Sequence, residues 1–395
     1  MAILIVGGGI GGLTTALTLA KKGFSVKVFE KTPGLTEQGA GIQLSPNCSS
    51  ILDDLGLGAQ LKTHGISPES IDIRQWETGE IIYSQNLKTP ESSSYCLIHR
   101  GDLLGILTEA ATENPLISIS YNSDVQNFDQ NEDEVWLERD GTKHRGELLI
   151  GADGIHSAVR KYFFNNDRPQ RTKNIAWRFL VPSHKLPTHM SAPKANIWWG
   201  PGKHIVHYPV RSRKFINCVC VIEKKNGRDI ESWENSGDKI ELKEYFSNWN
   251  SEIIAMIEEA NDESCYKWAL YQRKPTKKWF SNRVVLLGDA CHPALPFLAQ
   301  GAAMAIEDAQ VLASCLSKKN LHASKKLDNY KKIRFPRTKR IQFLSSLNSK
   351  IFHLSGIFQY FRDRLAKYVI PKIMTYIFNY RHMSRTINEG ENYDR

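Results

Sequence analysis

The sequence predicts an α/β fold in three parts: a parallel sheet wrapped by helices, an antiparallel sheet interleaved with it along the chain, and a helical C-terminal segment. Three observations carry this. Short apolar runs at Ala2–Val6, Leu148–Ile150 and Val284–Leu287 each lead into a glycine-bearing turn and a helix start, the pattern of strands buried on both faces of a parallel sheet. From about Thr172 to Tyr271, strand-like runs such as Ala195–Trp199, Ile205–Val210 and Phe215–Ile222 alternate with turns, and Ser70–Tyr83 is expected to join them. From Ile351 to Arg385, apolar residues recur at helical spacing, with a break expected at Pro371. The domains are then discontinuous: 1–69, 97–171 and 276–345 form the parallel-sheet domain, 70–96 and 172–275 the antiparallel one, and 346–395 the helical segment.

Composition sets the bounds. With 41% hydrophobic and 24% charged residues, the 395-residue chain can build a sizeable core. No stretch approaches the roughly 20 apolar residues of a membrane span. The first apolar run enters a glycine loop with no basic region before it, unlike a secretion signal, so a cytoplasmic location is expected. The seven cysteines are scattered and include no CxxC pair, which points to neither a metal site nor a disulfide framework. Lys318–Arg395 holds 18 Lys plus Arg against 5 Asp plus Glu, a net of +13, while the rest of the chain is at −3. That excess reads as a solvated helical surface; contact with a membrane surface or an acidic partner is the alternative. No nucleic-acid fold signature accompanies the charge, so no nucleic-acid partner is expected.

The first strand runs into Gly7-Gly8-Gly9-Ile10-Gly11-Gly12, with Gly7, Gly9 and Gly12 at the G-x-G-x-x-G positions. The first glycine makes the tight turn, the second lets backbone approach a pyrophosphate, and the third lets helix pack on strand. Leu13–Lys22 reads as the helix whose free N–H groups receive the phosphate, and Gly23 ends it. Phe24–Phe29 is the second strand. Glu30 closes it, where a carboxylate accepts hydrogen bonds from ribose hydroxyls. A carboxylate there disfavours a 2′-phosphate and leaves FAD or NAD.

A second cluster, Val284–Pro293, ends its strand in Gly288-Asp289 and precedes a helix over Gln300–Leu316. An aspartate at the C-terminal edge of a parallel sheet is placed to bind a sugar hydroxyl. FAD has a ribityl chain that needs such a second reader and NAD does not. A flavin carbonyl would then face the N–H groups of Gly301 and Ala302, which also stabilise negative charge on a reduced flavin. A third cluster, Leu148–Arg160, carries Gly151-Ala152-Asp153-Gly154.

In order and spacing these three clusters resemble the group A flavoprotein monooxygenases, the p-hydroxybenzoate hydroxylase superfamily, over roughly residues 1–345. The resemblance implies a Rossmann-like FAD-binding domain with an interleaved substrate domain. It implies that Arg100 contacts the FAD diphosphate, that Asp153 serves both FAD and NAD(P)H, and that Leu13, Lys31, Gln43, Val125 and Pro296 complete the cofactor contacts. NADH or NADPH would reduce FAD, dioxygen would add at the flavin C4a position, and a small aromatic substrate would take up one oxygen atom. Gly39–Asn47, Trp198–Pro209 and His292–Gly301 are most similar to the salicylate and 3-hydroxybenzoate hydroxylase group, with Ala299 standing where other branches more often have glycine or a small residue.

Side chains alternate along the His204–Tyr208 strand, with His204, Val206 and Tyr208 on one face and Ile205 and His207 on the other. The resemblance selects the first face for the substrate. His204 would deprotonate a phenol, Tyr208 would hydrogen-bond the substrate, and Gln300 would orient it. His292 takes a secondary place in the FAD loop. The alternatives are an oxygenase of a non-phenolic substrate, by epoxidation or antibiotic modification, and a flavin-binding protein without turnover. The missing redox cysteine pair argues against a disulfide reductase, and the Gly-Asp motif against a plain dehydrogenase. The C-terminal helix is read as packing over the substrate domain or at a dimer interface, in a monomer or homodimer.

Overall fold

A computed structural model describes residues 1–34, 40–90, 94–125, 127–139, 141–164, 167–224, 238–261 and 265–380. Gly39 and the segment beyond Tyr380, including the end of the expected C-terminal helix, lie outside the described residues. The first sheet has six strands in the order Phe280–Ser281, Val284–Leu286, Leu148–Gly151, Ile3–Val6, Val26–Phe29, Ile117–Ser120. All pair in parallel except the Phe280–Ser281 edge. Ile3, Leu4 and Ile5 are fully buried at the centre, as a strand covered on both faces requires. The three apolar runs read from the sequence are the three central strands. All three therefore release their glycine turns at the same C-terminal edge, where ligands of such sheets bind.

The second sheet has seven strands in the order Tyr266–Gln272, Gln170–Pro182, Phe215–Glu223, Lys203–Val210, Lys194–Gly200, Ser70–Gln75, Ile81–Asn86. It is not wholly antiparallel: Lys194–Gly200 pairs in parallel with Ser70–Gln75. The early hairpin adds to the sheet from far off in sequence, and no tight turn forces an antiparallel join. One face of this sheet packs on the short helices Lys239–Phe246 and Ser251–Glu258 through Trp177, Trp198, Phe246 and Trp249. The other faces the first sheet. A two-stranded ribbon of Gly41–Leu44 and Cys96–His99 bridges the two bodies.

The C-terminal segment departs from expectation. Ala323–Ile351 is one long helix containing Pro336, and Gly356–Phe378 is a second containing Pro371. Pro371 does not break it. A proline inside a helix forfeits one N–H bond, yet Ala366 and Ile370 before it, and Ile373 and Ile377 after it, pack into buried clusters that hold the helix through the defect. Ile357, Phe358, Phe361, Leu365, Tyr368 and Val369 of this helix remain exposed. No helix among the described residues is long and apolar enough to cross a membrane.

Candidate active site

The glycine turn is built by close approach. A Cβ on Gly12 would lie 1.9 Å from the Gly7 carbonyl oxygen, and one on Gly7, at a left-handed φ of +105°, 2.5 Å from the Ala152 oxygen. Gly9 differs: a Cβ there meets nothing within 4 Å. The turn is thus packed against its own strand and the Asp153 loop at Gly7 and Gly12, and open at Gly9. Glu30 spans the opening, accepting from the Gly8 N–H at 2.6 Å and the Thr32 N–H at 2.9 Å. Leu13 is buried in the sheet core and so is Val125, while Lys31 is exposed.

The other carboxylates converge on the same edge. Asp153 is half-buried; its Oδ2 accepts from the Val159 N–H at 3.1 Å, and its buried Oδ1 has no hydrogen-bond partner. Burial pushes its carboxyl above the usual range, against hydrogen bonds from Ser157 and Val159. The surrounding protein does the same to Asp289, whose side chain opens onto the cavity, opposed by His292 and Arg100. Arg100, delivered by the ribbon, is depressed by burial but supported electrostatically by Asp289 and Glu30. His292 Nε2 donates to Asp308 Oδ2 at 2.7 Å and stands behind this group. Asp308 and Glu307 are held there by Arg334 and Arg337, at 2.6 Å and 2.9 Å. Burial alone would raise Asp308, yet His292 and Arg334 hold it down at about 2. Arg337 also donates to the Tyr376 and Ile377 carbonyl oxygens at 2.9 and 3.1 Å, tying the last helix to this cluster.

A cavity of about 1150 Å³ lies between the two sheets and is closed on a third side by the C-terminal helices. Of the residues singled out in the sequence, Gln43, Arg100, Asp289, Pro296, Gly301 and Ala302 line it on the first-sheet side. His204 and Tyr208 line it on the second, together with Val206, while Ile205 and His207 turn away, as the alternation requires. Gln300 also lines it, but its amide is engaged at both ends: Nε2 donates to Ser45 Oγ at 2.9 Å, and Oε1 accepts from Asn47 at 3.1 Å. Ala299, just before it, sits at φ +53°, a left-handed turn that sets the start of the Gly301–Leu316 helix. Tyr208 is buried, and burial raises its hydroxyl well above the usual phenol range. Its ring lies so close to Gly41 that a Cβ there would come within 2.5 Å.

Two residues, one lining this cavity and one behind its wall, carried no signal in the sequence. Arg178 enters from the Gln170–Pro182 strand, stacks over Trp268 at 4.9 Å, and its Nε has no hydrogen-bond partner. His353, in the turn after Ile351, meets His204: Nδ1 of His204 lies 2.9 Å from Nε2 of His353. Burial holds both imidazoles below their usual range, His204 well below it and His353 at about 4. Phe297 and Phe352 pack on the His204 ring at 5.0 and 5.3 Å.

Residues 1–343 match a family described as an FAD binding domain. The chain belongs to that family. Relatives include a 3-hydroxybenzoate 6-hydroxylase of Klebsiella oxytoca, 33% identical over 93% of this chain and 92% of that one. Another is a 3-amino-4-hydroxybenzoate 2-monooxygenase of Streptomyces cremeus, 34% identical over 89% and 88%. The fold is that of Klebsiella pneumoniae HpxO complexed with FAD and uric acid, with TM-score 0.82, 24% identity, and 99% and 97% of the chains covered. It is a member of the flavin aromatic monooxygenase group, FAD-dependent and using NAD(P)H and O2.

The residues of this monooxygenase fit FAD. The open space at Gly9 would accept a diphosphate, the unpartnered Asp153 Oδ1 and the half-compensated Asp289 would accept from hydroxyl groups, and the first N–H groups of the Gly301 helix would be donors at the cavity edge. When bound, FAD supplies the redox chemistry, accepting hydride equivalents and activating dioxygen. What the protein adds on the facing wall is a neutral imidazole, a cation and apolar side chains.

Proposed function

We propose that this monooxygenase hydroxylates a small phenolic ring that carries a carboxylate. His204 takes the phenol proton at Nε2, since Nδ1 is engaged by His353. Arg178 holds the carboxylate. The observation that carries the reading is Arg178: a guanidinium facing the cavity with its Nε unpartnered and no ion pair to a described carboxylate. A charge so placed is costly until an anion meets it. The hydroxybenzoates named for the relatives have the matching anion.

In this reading His204 works as a base because it is neutral at rest; burial sees to that. Losing its proton makes the ring a stronger nucleophile toward activated oxygen, and the aromatic wall of Phe297 and Phe352 fixes the imidazole's tilt. Tyr208 donates to the substrate, and Gln300 holds the helix entry through Ser45 and Asn47. On the cofactor side, Glu30 reads the ribose, Asp289 the ribityl chain, Arg100 the diphosphate, and Gln43 and Pro296 bound the ring.

The test follows NADH and NADPH oxidation by the purified yellow protein, with peroxide assayed in parallel, across salicylate, 3-hydroxybenzoate, 4-hydroxybenzoate, 6-hydroxynicotinate, urate and plain phenol. The reading expects strong stimulation with little peroxide from at least one ring carboxylate and little from phenol. Equal stimulation by phenol would remove the carboxylate from the reading, and silence across the whole set would favour a non-phenolic substrate.

A further inference from the structure

A base buried beside a flavin must pass its proton on, or it is spent after one deprotonation. We infer that His353 and Glu223 form a relay that carries the substrate proton from His204 to solvent; this rests on His204 being the base. The three groups follow one another from the cavity to the surface. His204 faces the cavity and meets His353 Nε2 at 2.9 Å through Nδ1. His353 is buried, and its Nδ1 has no hydrogen-bond partner. Glu223 Oε2 lies 3.9 Å from that Nδ1, at the end of the Phe215–Glu223 strand, with its side chain 45% exposed. That gap is beyond a direct hydrogen bond and suits a small adjustment or one bridging water.

The proton count closes. At rest, His204 carries its hydrogen on Nδ1 and donates it to Nε2 of His353, which carries its own on Nδ1. The phenol O–H bond breaks and its proton joins His204 Nε2. The Nδ1 proton of His204 passes to His353 Nε2, and the Nδ1 proton of His353 passes to Glu223 or to water beside it. One proton enters at the cavity, one leaves at the surface, and no electron moves. Return of both rings to the first tautomer, while product leaves, resets the path.

The surroundings favour transfer over storage. Facing His353 are His204, Glu223 and Arg362, whose guanidinium is paired with Asp363 at 2.8 Å and donates to the Phe352 carbonyl oxygen at 2.8 Å. Among the described residues Arg362 is the cation against the ring, and it opposes a lasting positive charge there. The His353 carbonyl accepts from the Gly202 N–H at 3.1 Å, which pins the turn to the hairpin that carries His204. His353 is in this sense a positioning residue: it acts on substrate only through His204.

The experiment uses the oxidised holoenzyme without reductant, so that no turnover is read. The probes are 3-hydroxybenzoate and 6-hydroxynicotinate. Ultraviolet absorbance reports their ionisation on binding, at equilibrium and after rapid mixing, from pH 5.5 to pH 9. In wild type the bound probe ionises near neutral pH. His204→Gln should abolish that ionisation. His353→Gln keeps a hydrogen-bonding partner for His204 but cannot hand a proton on; it should slow ionisation about tenfold or more, with little change in probe affinity. Glu223→Gln should slow it less, and added imidazole should restore the rate in His353→Ala. If His353→Gln ionises probe at the wild-type rate while His204→Gln does not, the relay is wrong and the base stands. Should His204→Gln ionise probe normally, or neither probe bind, the base falls and the relay with it.

Discussion

The two walls of the cavity are made in opposite ways. The cofactor wall is mostly backbone: a glycine turn, strand ends and helix N–H groups, drawn from contiguous stretches of sequence at one edge of one sheet. The substrate wall is mostly side chain: His204 and Tyr208 from one strand and Arg178 from another, with His353 behind His204 from a turn 149 residues further on. Backbone sites tolerate little change in shape and much in charge. Side-chain sites do the reverse. Substitutions should therefore fail differently on the two walls.

The largest effect is expected at Gly12. Gly12→Ala drives a methyl into the Gly7 carbonyl, which should cost roughly 3 kcal/mol or more and yield protein without yellow colour; melting temperature and flavin absorbance read both. Gly9→Ala sharpens the contrast, because it has room in the folded chain: apoprotein stability should hold while FAD affinity falls. A Gly9 variant as unstable as the Gly12 one would mean that the turn is shaped by packing alone.

Next comes His204. His204→Gln should keep FAD and lose about 10²- to 10⁴-fold in kcat on a phenolic substrate, with the flavin spectrum unchanged. A third test is acid. His353 has a folded pKa of about 4 against an ordinary 6.5, so the unfolded chain binds its proton first as pH falls. Stability from this group is full above pH 6.5 and is lost down to about pH 4, on the order of 3 kcal/mol in all. Melting temperature should fall over that window, and His353→Gln should flatten the fall. The smallest effect is expected at Arg178. Arg178→Met should raise KM for a ring carboxylate about ten- to a hundredfold, leave an uncharged phenol unaffected, and spare FAD binding. An equal loss on both substrates would make Arg178 a packing residue.

The same contrast explains what the sequence made legible. The three motifs could be read because each demand is local: a turn needs its glycine within a few residues, and a strand that feeds it is a short apolar run. Strand alternation, a local rule too, put His204 and Tyr208 on one face, and the family resemblance chose that face over the other. Arg178 and His353 were not. An arginine in a strand and a histidine after a helix look ordinary until distant elements bring them to one cavity. Pro371 misled for the same reason, since its local penalty was visible and the clusters that override it, around Ala366, Ile370 and Ile377, were not. The parallel insertion of Ser70–Gln75 likewise left no local mark.

The way Arg337 grips the last helix has a consequence for where this protein can be cut. The stretch that matches the family ends at residue 343. Yet two of the donors on Arg337 terminate on Tyr376 and Ile377, and beyond 343 also lie His353 against His204 and Phe352 against Trp199, at 4.9 Å between ring centres. A chain stopped at the family boundary would keep every cofactor motif and lose one wall of the chamber. Arg337 would keep Glu307 but lose both carbonyl partners in the last helix, and His204 would lose His353. The family match and the packed structure thus draw their borders at different residues, and the cavity follows the second.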